Sequence, residues 1–175
     1  MRYLVIVFCA ILLFSCAKNS GNVKTDRTYF DLDSFFLKEA SRLQILNPGV
    51  YKSVSRNSEE QTKKISGINW ENELSLFAES DINKPAWKDS YKVIHNKGEL
   101  IYKSLDSNLR TREIRIIKDQ KGTVKKITIE NQTNNRLFQS FEKLVYMPDS
   151  LYQIDKKQHI LLIGYNHYLI RGIIR

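Results

Sequence analysis

The sequence predicts an α+β domain in which two N-terminal helices pack on a curved antiparallel β-meander, with a half-barrel as one form of it. Two observations support this class. Apolar residues recur at helical spacing only in the first half of the domain, whereas residues 90–175 alternate short β-prone runs with turn residues. Strands joined by short loops are antiparallel neighbours, and helices followed by strands are typical of α+β domains.

The first helix is predicted over residues 32–46, where apolar residues recur at intervals of three and four. Asp31 or Asp33 can cap its start, and Asn47-Pro48-Gly49 ends it. Residues 50–55 and 61–65 then predict a β-hairpin.

The second helix is predicted to begin after Asn69, whose side chain can cap it, and to stop at Asn83-Lys84-Pro85. Its buried face consists of Trp70, Leu74, Phe77 and Ala78.

The remaining strands are predicted as consecutive neighbours. Residues 91–95 pair with 99–103, and residues 110–118 pair with 123–130. A turn at 131–135 leads to a strand at 136–146, and a final pair flanks the turn Gly164-Tyr165-Asn166.

The strands at 136–146 and 160–163 carry apolar residues on both faces, which predicts that both faces of the sheet are covered. The helices cover one face. Sheet curvature, a second layer or a bound apolar molecule closes the other, and we expect a self-filled curved sheet rather than a cavity. The side chains that fill the interior, or line an apolar groove if it is open, are Phe35, Phe36, Leu43, Trp70, Phe77 and Trp87.

The first sixteen residues have the pattern of a bacterial lipoprotein leader. Arg2 precedes an apolar run at 3–14, and Leu13-Phe14-Ser15-Cys16 forms a lipobox. A helix over that run would be roughly 18 Å long, short of the ~30 Å hydrocarbon core of a membrane. We therefore predict a signal peptide at 1–15, a lipidated Cys16, a flexible polar tether at 16–28 and a single domain at 29–175.

The net charge of the chain limits the kinds of partner that it is expected to bind. The chain has 28 Lys and Arg against 19 Asp and Glu, a formal net charge of +9. A basic protein held at a membrane by its N-terminal lipid is attracted to anionic lipid headgroups or to another envelope protein. We expect no nucleic-acid partner, because the basic residues are scattered along strands without a nucleic-acid-binding motif.

The sequence offers little for catalysis or metal binding. It contains no Gly-x-Ser-x-Gly, no HExxH and no phosphate-binding glycine loop. A turn at 164–166 would place His159 about 13 Å from His167 or on the opposite face, and His95 beside a turn is expected to be solvated. Glu142 and Asp155 lie on strands and could form a carboxylate pair, but we expect them to form salt bridges with Lys and Arg. We expect no catalytic residue, no metal and no cofactor.

Two short motifs concern modification. Asp149-Ser150-Leu151 resembles the Asp-Ser/Thr-apolar site at which Bacteroidota O-glycosylate exported proteins, which makes Ser150 a candidate acceptor. Asn131-Gln132-Thr133 fits the N-glycosylation pattern but is interpreted as a turn.

The lipobox, together with residues 79–88 and 148–152, resembles small Bacteroidota lipoproteins of no assigned activity. In such bacteria acidic residues after the lipidated Cys accompany surface display, and residues 17–20 contain none, which implies the periplasmic side. The order of elements also resembles the envelope lipoprotein carriers and their receptors, in which helices plug an antiparallel half-barrel.

These observations favour a membrane-anchored, periplasm-facing lipoprotein that acts as a non-catalytic binding or assembly module of the cell envelope. The alternative is a carrier or receptor for lipid or lipidated protein that uses an apolar groove. An envelope hydrolase is the third hypothesis.

Cys16 is the only residue of the predicted mature chain that can carry a thioether-linked lipid, since Cys9 leaves with the leader. We expect Cys16→Ser to abolish metabolic labelling with a fatty-acid analogue and to leave an uncleaved or soluble product. A cleaved, unlabelled Cys16→Ser protein that stays in the membrane would show that another anchor exists.

Overall fold

The structure, a computed structural model, describes residues 28–175, so the predicted leader and Cys16 lie outside the described residues. Residues 28–175 form two α-helices, one 3₁₀ helix and nine strands. In chain order these are α1 (Leu32–Leu46), β1 (Val50–Arg56), β2 (Glu59–Ile65), α2 (Trp70–Ala78), the 3₁₀ helix (Pro85–Trp87), β3 (Tyr91–Asn96), β4 (Glu99–Ser104), β5 (Thr111–Lys118), β6 (Val124–Asn134), β7 (Phe138–Met147), β8 (Leu151–Ile160) and β9 (Gly164–Ile174).

All strands of this part of the chain belong to one antiparallel sheet, in the order β2-β1-β9-β8-β7-β6-β5-β4-β3. Strands β3 to β9 form a meander. The β1–β2 hairpin extends the meander by pairing with β9, where Val50 lies opposite Ile174. Because β2 and β3 are edges, the sheet is open. The predicted combination of two helices with an antiparallel sheet is confirmed.

Both helices have the capping residues that the sequence predicts. The Asp31 carboxylate accepts a hydrogen bond from the Ser34 N–H at 3.0 Å, and Asn47 ends α1 in the left-handed conformation. The Asn69 side chain accepts from the Asn72 N–H at the start of α2. Helix α2 ends at Ala78, before the predicted stop, and Pro85 instead begins the 3₁₀ helix.

The helices pack their aromatic side chains on one face of the sheet. The ring of Phe36 lies 5.0 Å from that of Phe77 and 5.2 Å from that of Tyr146 in β7, measured between centroids. Trp70 contacts Tyr152 in β8 at 6.0 Å. Because side chains alternate along a strand, Tyr146 fixes which residues of every strand face the helices. We call this the inner face and the opposite one the outer face.

The sequence prediction is wrong for two turns, the one between β6 and β7 and the one between β8 and β9. Strand β6 continues to Asn134, so Asn131-Gln132-Thr133 is not a turn, and the chain turns at residues 135–137. The carboxamide oxygen of Asn135 accepts hydrogen bonds from the N–H groups of Leu137 and Phe138 and thereby forms this turn.

The second error concerns residues 160–163, which were expected to form a strand that is apolar on both faces. Residues 161–163 are instead the β8–β9 turn, closed by a hydrogen bond from the Ile163 N–H to the Ile160 carbonyl at 3.1 Å. Gly164, expected in the turn, begins β9. An apolar run normally indicates a buried strand, and here it is an exposed turn.

The expectation that both sheet faces are covered is also wrong for residues 28–175. The outer face carries ion pairs instead, in which Arg115 bridges Glu99 and Glu113, and Lys143 contacts Glu130 at 3.1 Å. A charged face of this kind is stable in water without a second layer.

The burial of Phe36 between the helices and the sheet predicts that its side chain contributes strongly to stability. Phe36 is 1% exposed, and we expect Phe36→Ala to lower the free energy of unfolding by about 3 to 5 kcal/mol, because it removes a buried ring and leaves a cavity. Leu46→Ala, at a residue of the same helix that is 60% exposed, serves as the control and should change stability by less than about 0.5 kcal/mol. Equal unfolding midpoints for both variants would contradict this packing.

Candidate functional site

Two turns lie side by side at one end of the sheet. The β6–β7 turn (residues 135–137) and the β8–β9 turn (residues 161–163) emerge at the same end because the intervening strands are antiparallel. The Leu161 N–H donates a hydrogen bond to the Leu137 carbonyl at 2.9 Å, which joins the turns directly. We call these two turns the tip.

The tip exposes large aliphatic side chains. Leu162 is 99% exposed, and Leu137 and Ile163 are 67% and 69% exposed. Leu161 is half-exposed, and Tyr165 and Phe141 extend the apolar surface along the outer face. Clustered exposed apolar side chains on a soluble domain mark an interaction surface, whereas single ones are ordinary.

The backbone of Leu162 is strained. Its φ angle is 73°, in the left-handed region that Gly and Asn adopt readily and Leu rarely does. This conformation costs an L-residue with a Cβ about 1 to 2 kcal/mol. The Leu162 side chain therefore adds backbone strain, and because it is exposed, no burial offsets that strain. This indicates that the side chain serves a purpose other than stabilising the fold.

A shallow depression of about 280 Å³ lies behind the tip. Its walls combine two aromatic rings with amides, an imidazole and an amine, all on the outer face by strand alternation. These side chains are Gln132, Asn134, Gln139, Phe141, Lys157, His159 and Tyr165. The lining can bind a polar ligand through hydrogen bonds and ring stacking.

The strands that end at the tip are basic. Residues 132–141 and 156–168 contain Arg136, Lys156 and Lys157 but no Asp or Glu. Arg136 and Lys157 are exposed, whereas Lys156 points to the inner face and pairs with Glu142. The two hairpins that form the tip therefore present positive charge beside its apolar side chains, whereas the β1–β2 hairpin, joined to β9 by the hydrogen bond from the Asn57 N–H to the His167 carbonyl, carries exposed Glu59 and Glu60.

A polar cluster lies on the inner face where α2 stops covering the sheet. Glu142 is 5% exposed and accepts hydrogen bonds from Arg110 at 2.7 Å and from Lys156 at 2.9 Å. The amide of buried Asn131 donates to the Ser80 hydroxyl at 2.9 Å, which connects the sheet to the segment after α2. The predicted salt bridge of Glu142 with basic residues is confirmed. The Asp155 carboxylate instead contacts the imidazole of His167 at 2.8 Å.

Opposing effects act on the pKa of Glu142. Burial has the largest single influence and raises the pKa, but the hydrogen bonds and charges of Lys156 and Arg110 together outweigh it. The pKa of Glu142 is therefore lowered from its ordinary value, and the carboxylate is ionised at neutral pH.

The six residues predicted to fill the interior or line a groove are mostly buried. Phe36, Leu43, Trp70 and Phe77 belong to the core between the helices and the sheet, and Phe35 and Trp87 are half-buried against it. The ammonium group of Lys84 lies 4.2 Å from the ring centre of Trp87. These side chains occupy the interior rather than the tip. Ser150, the candidate acceptor of the modification motif, is exposed in the turn between β7 and β8.

The predicted spacing of the histidines is wrong because the β8–β9 turn lies three residues earlier than expected. His159 pairs with Tyr165 and His167 with Lys157, so both histidines point to the outer face. His95 is exposed, as expected. Ser140 and His159 lie on adjacent strands but face opposite sides of the sheet, since Ser140 pairs with Gln158 and His159 with Gln139.

Within residues 28–175, no three His, Cys, Asp or Glu side chains converge as a metal site requires. In the same residues, no helix is long and apolar enough to cross a membrane. No protein-family model, curated protein or solved structure matches the chain.

Sequence reasoning missed the tip. The exposed aliphatic residues were assigned to a buried strand, since apolar runs usually are buried. One signal was present: Gly164 interrupts the apolar run, and glycine commonly marks a hairpin turn or its edge.

The lowered pKa of Glu142 makes stability depend on pH. A carboxylate whose pKa is lower in the folded state stabilises the fold above its unfolded pKa, and the contribution is lost as pH falls through the folded pKa. We expect Glu142→Gln to cost about 1 to 3 kcal/mol at pH 7 and progressively less as the pH falls below about 4.5, measured by urea unfolding. Glu130→Gln, which breaks a more exposed pair with Lys143, is the control and should cost at most about 1 kcal/mol. If the free energy of unfolding differs between Glu142→Gln and wild type by the same amount at pH 7 and below about pH 4.5, the ionised carboxylate of Glu142 does not stabilise the fold.

Proposed function

We propose that the chain is a membrane-anchored, periplasm-facing lipoprotein whose domain is a non-catalytic binding or assembly module of the cell envelope. The single observation that carries this proposal is the tip, where aliphatic side chains project from two joined turns beside a basic depression. The lipobox at Cys16 supports the anchor, and the lack of acidic residues at 17–20 supports the periplasmic side. The partners are the membrane, through the N-terminal lipid, and either anionic headgroups or another envelope protein.

The filled interior supports a binding module over a carrier. A carrier needs an open apolar groove, and the aromatic residues proposed to line one pack against one another, with Phe36, Phe77 and Tyr146 in mutual contact. The binding surface is therefore assigned to the outside of the domain.

A half-barrel shape remains part of the proposal. Helix-layer contacts reach from β1, where Lys52 pairs with Glu73 at 2.6 Å, to β4, where the Tyr102 hydroxyl accepts from the Phe30 N–H. Six strand spacings of about 4.8 Å, roughly 29 Å, separate β1 from β4. Because strands this far apart in the sheet both contact the layer that contains the helices, the contacts support a sheet that curves around that layer.

A hydrolase is less well supported than binding. Ser140 and His159 are adjacent in the sheet, but their side chains point to opposite faces, so the serine has no imidazole base in reach on its own side. His159 instead lines the depression with Lys157 and Tyr165.

The test uses a substitution at Leu162 that should weaken binding without destabilising the fold, because the backbone of Leu162 is already strained. Asn accepts the left-handed conformation, so Leu162→Asn should be at least as stable as wild type while removing the most exposed apolar side chain. Leu46→Asn is the matched control at the other end of the domain. We expect in-cell cross-linking of the tethered protein to recover lipids or proteins with wild type and Leu46→Asn, and about tenfold less with Leu162→Asn.

Identical cross-linked products from all three proteins would show that the tip is not the binding surface. Products formed with a cross-linker that cannot enter the cell envelope would place the domain on the cell surface and contradict the periplasmic side.

A further inference from the structure

Resting on the proposed lipid anchor, we propose that the tip inserts into the headgroup region of an anionic lipid bilayer. The partner of this surface is the membrane itself, and the domain then has two attachments to it: the lipid at Cys16 and the tip. Three features of the described residues support this partner.

The first is shape. Leu161, Leu162 and Ile163 are consecutive in a three-residue turn that projects from the sheet, so they form a narrow wedge rather than a flat face. A wedge of this size buries its side chains fully in a fluid layer, whereas a protein partner would need a matching groove. Tyr165 follows two residues later and is 60% exposed, and tyrosine is enriched at membrane–water interfaces.

The second is charge. Arg136 is exposed in the adjacent β6–β7 turn, Lys157 is exposed three residues before the end of β8, and residues 132–141 and 156–168 contain no acidic side chain. Apolar side chains flanked by basic ones match the arrangement of a bilayer surface, in which anionic phosphates lie above the hydrocarbon.

The third is the position of the tether. Tyr29 packs against Tyr91, the first residue of β3, with ring centroids 5.7 Å apart. Strand β3 begins at the end of the sheet where the tip lies, five strand spacings or roughly 24 Å from β8. The eleven residues between Cys16 and Thr28 can extend to about 40 Å. The anchor and the tip can therefore reach the same bilayer together.

The experiment places a fluorophore on the tip of the full-length, lipid-modified protein. Because acylated Cys16 is the only cysteine of the predicted mature chain, Leu162→Cys gives a unique thiol for an environment-sensitive nitrobenzoxadiazole label. Leu46→Cys gives the matched control, since exposed Leu46 precedes β1 at the end of the sheet away from the tip. Both proteins are reconstituted into vesicles of phosphatidylethanolamine and phosphatidylglycerol that contain doxyl-labelled quencher lipids.

We expect the label at residue 162 to lose most of its emission in these vesicles and the label at residue 46 to lose little. Replacing phosphatidylglycerol with phosphatidylcholine should restore most of the emission at residue 162, because the basic flank then has no anionic partner.

Three outcomes would overturn the inference. Vesicles that carry the protein on flotation while the label at residue 162 stays bright would mean that the anchor holds and the tip does not insert. Equal quenching at residues 162 and 46 would mean that the domain lies on the bilayer in no fixed orientation. A label at residue 162 that is shielded from aqueous iodide as protein concentration rises, without lipid quenching, would mean that the tip pairs with a second copy. If the full-length protein proves to carry no acyl group at Cys16 and does not float with the vesicles, the anchor of the proposed function is refuted instead.

Discussion

The architecture depends on the contact of the Tyr146 side chain with the helix layer. Its ring packs against Phe36 and Phe77, and its hydroxyl donates a hydrogen bond to Glu39 of α1 at 2.6 Å. Burial is the main cause of the raised pKa of the Tyr146 hydroxyl, which therefore stays protonated. Since side chains alternate along strands and register is continuous across the sheet, burying Tyr146 places Leu144 and Glu142 on the same face. This one contact therefore decides both where the core lies and where the inner polar cluster lies.

The domain consequently has two unlike ends. Near the helices the inner face carries Tyr146, Tyr152 and Leu144, and towards the tip it carries Ser140, Glu142 and Asn166, although all six are buried. Fold-forming sequences normally place apolar residues inside and polar residues in turns. At the tip end this domain does the reverse, with buried ions inside and aliphatic side chains in the turn. Departures from local rules of this kind are expected at functional sites, where binding rather than folding selects the side chain.

Local sequence signals explain which elements could be predicted. Capping residues and helical spacing gave α1 its bounds because Asp31 and Asn47 act within a few residues of the chain. The pairing of β1 with β9 had no comparable signal, since Val50 and Ile174 meet only through the tertiary fold. Asn131 was mistaken for a turn residue because its burial depends on Ser80, which is distant in sequence. The tip was missed for the opposite reason: its apolar residues are exposed although apolar runs are usually buried, and Gly164 indicates a nearby turn without fixing its position.

Two attachments to one bilayer would give the domain a fixed orientation that the lipid alone does not provide. A tether of the kind predicted at 16–28 would leave the domain free to rotate and would hold the tip at an effective concentration on the order of millimolar near the membrane. Even if the three aliphatic residues of the wedge bind the bilayer weakly, they would then be inserted for much of the time. Insertion would also place the depression that includes His159 and Tyr165 beside the headgroups, because Tyr165 follows the turn by two residues. Ligands of that depression would accordingly be molecules found at the membrane surface, so the strained Leu162 would determine which molecules the outer face of the sheet can reach.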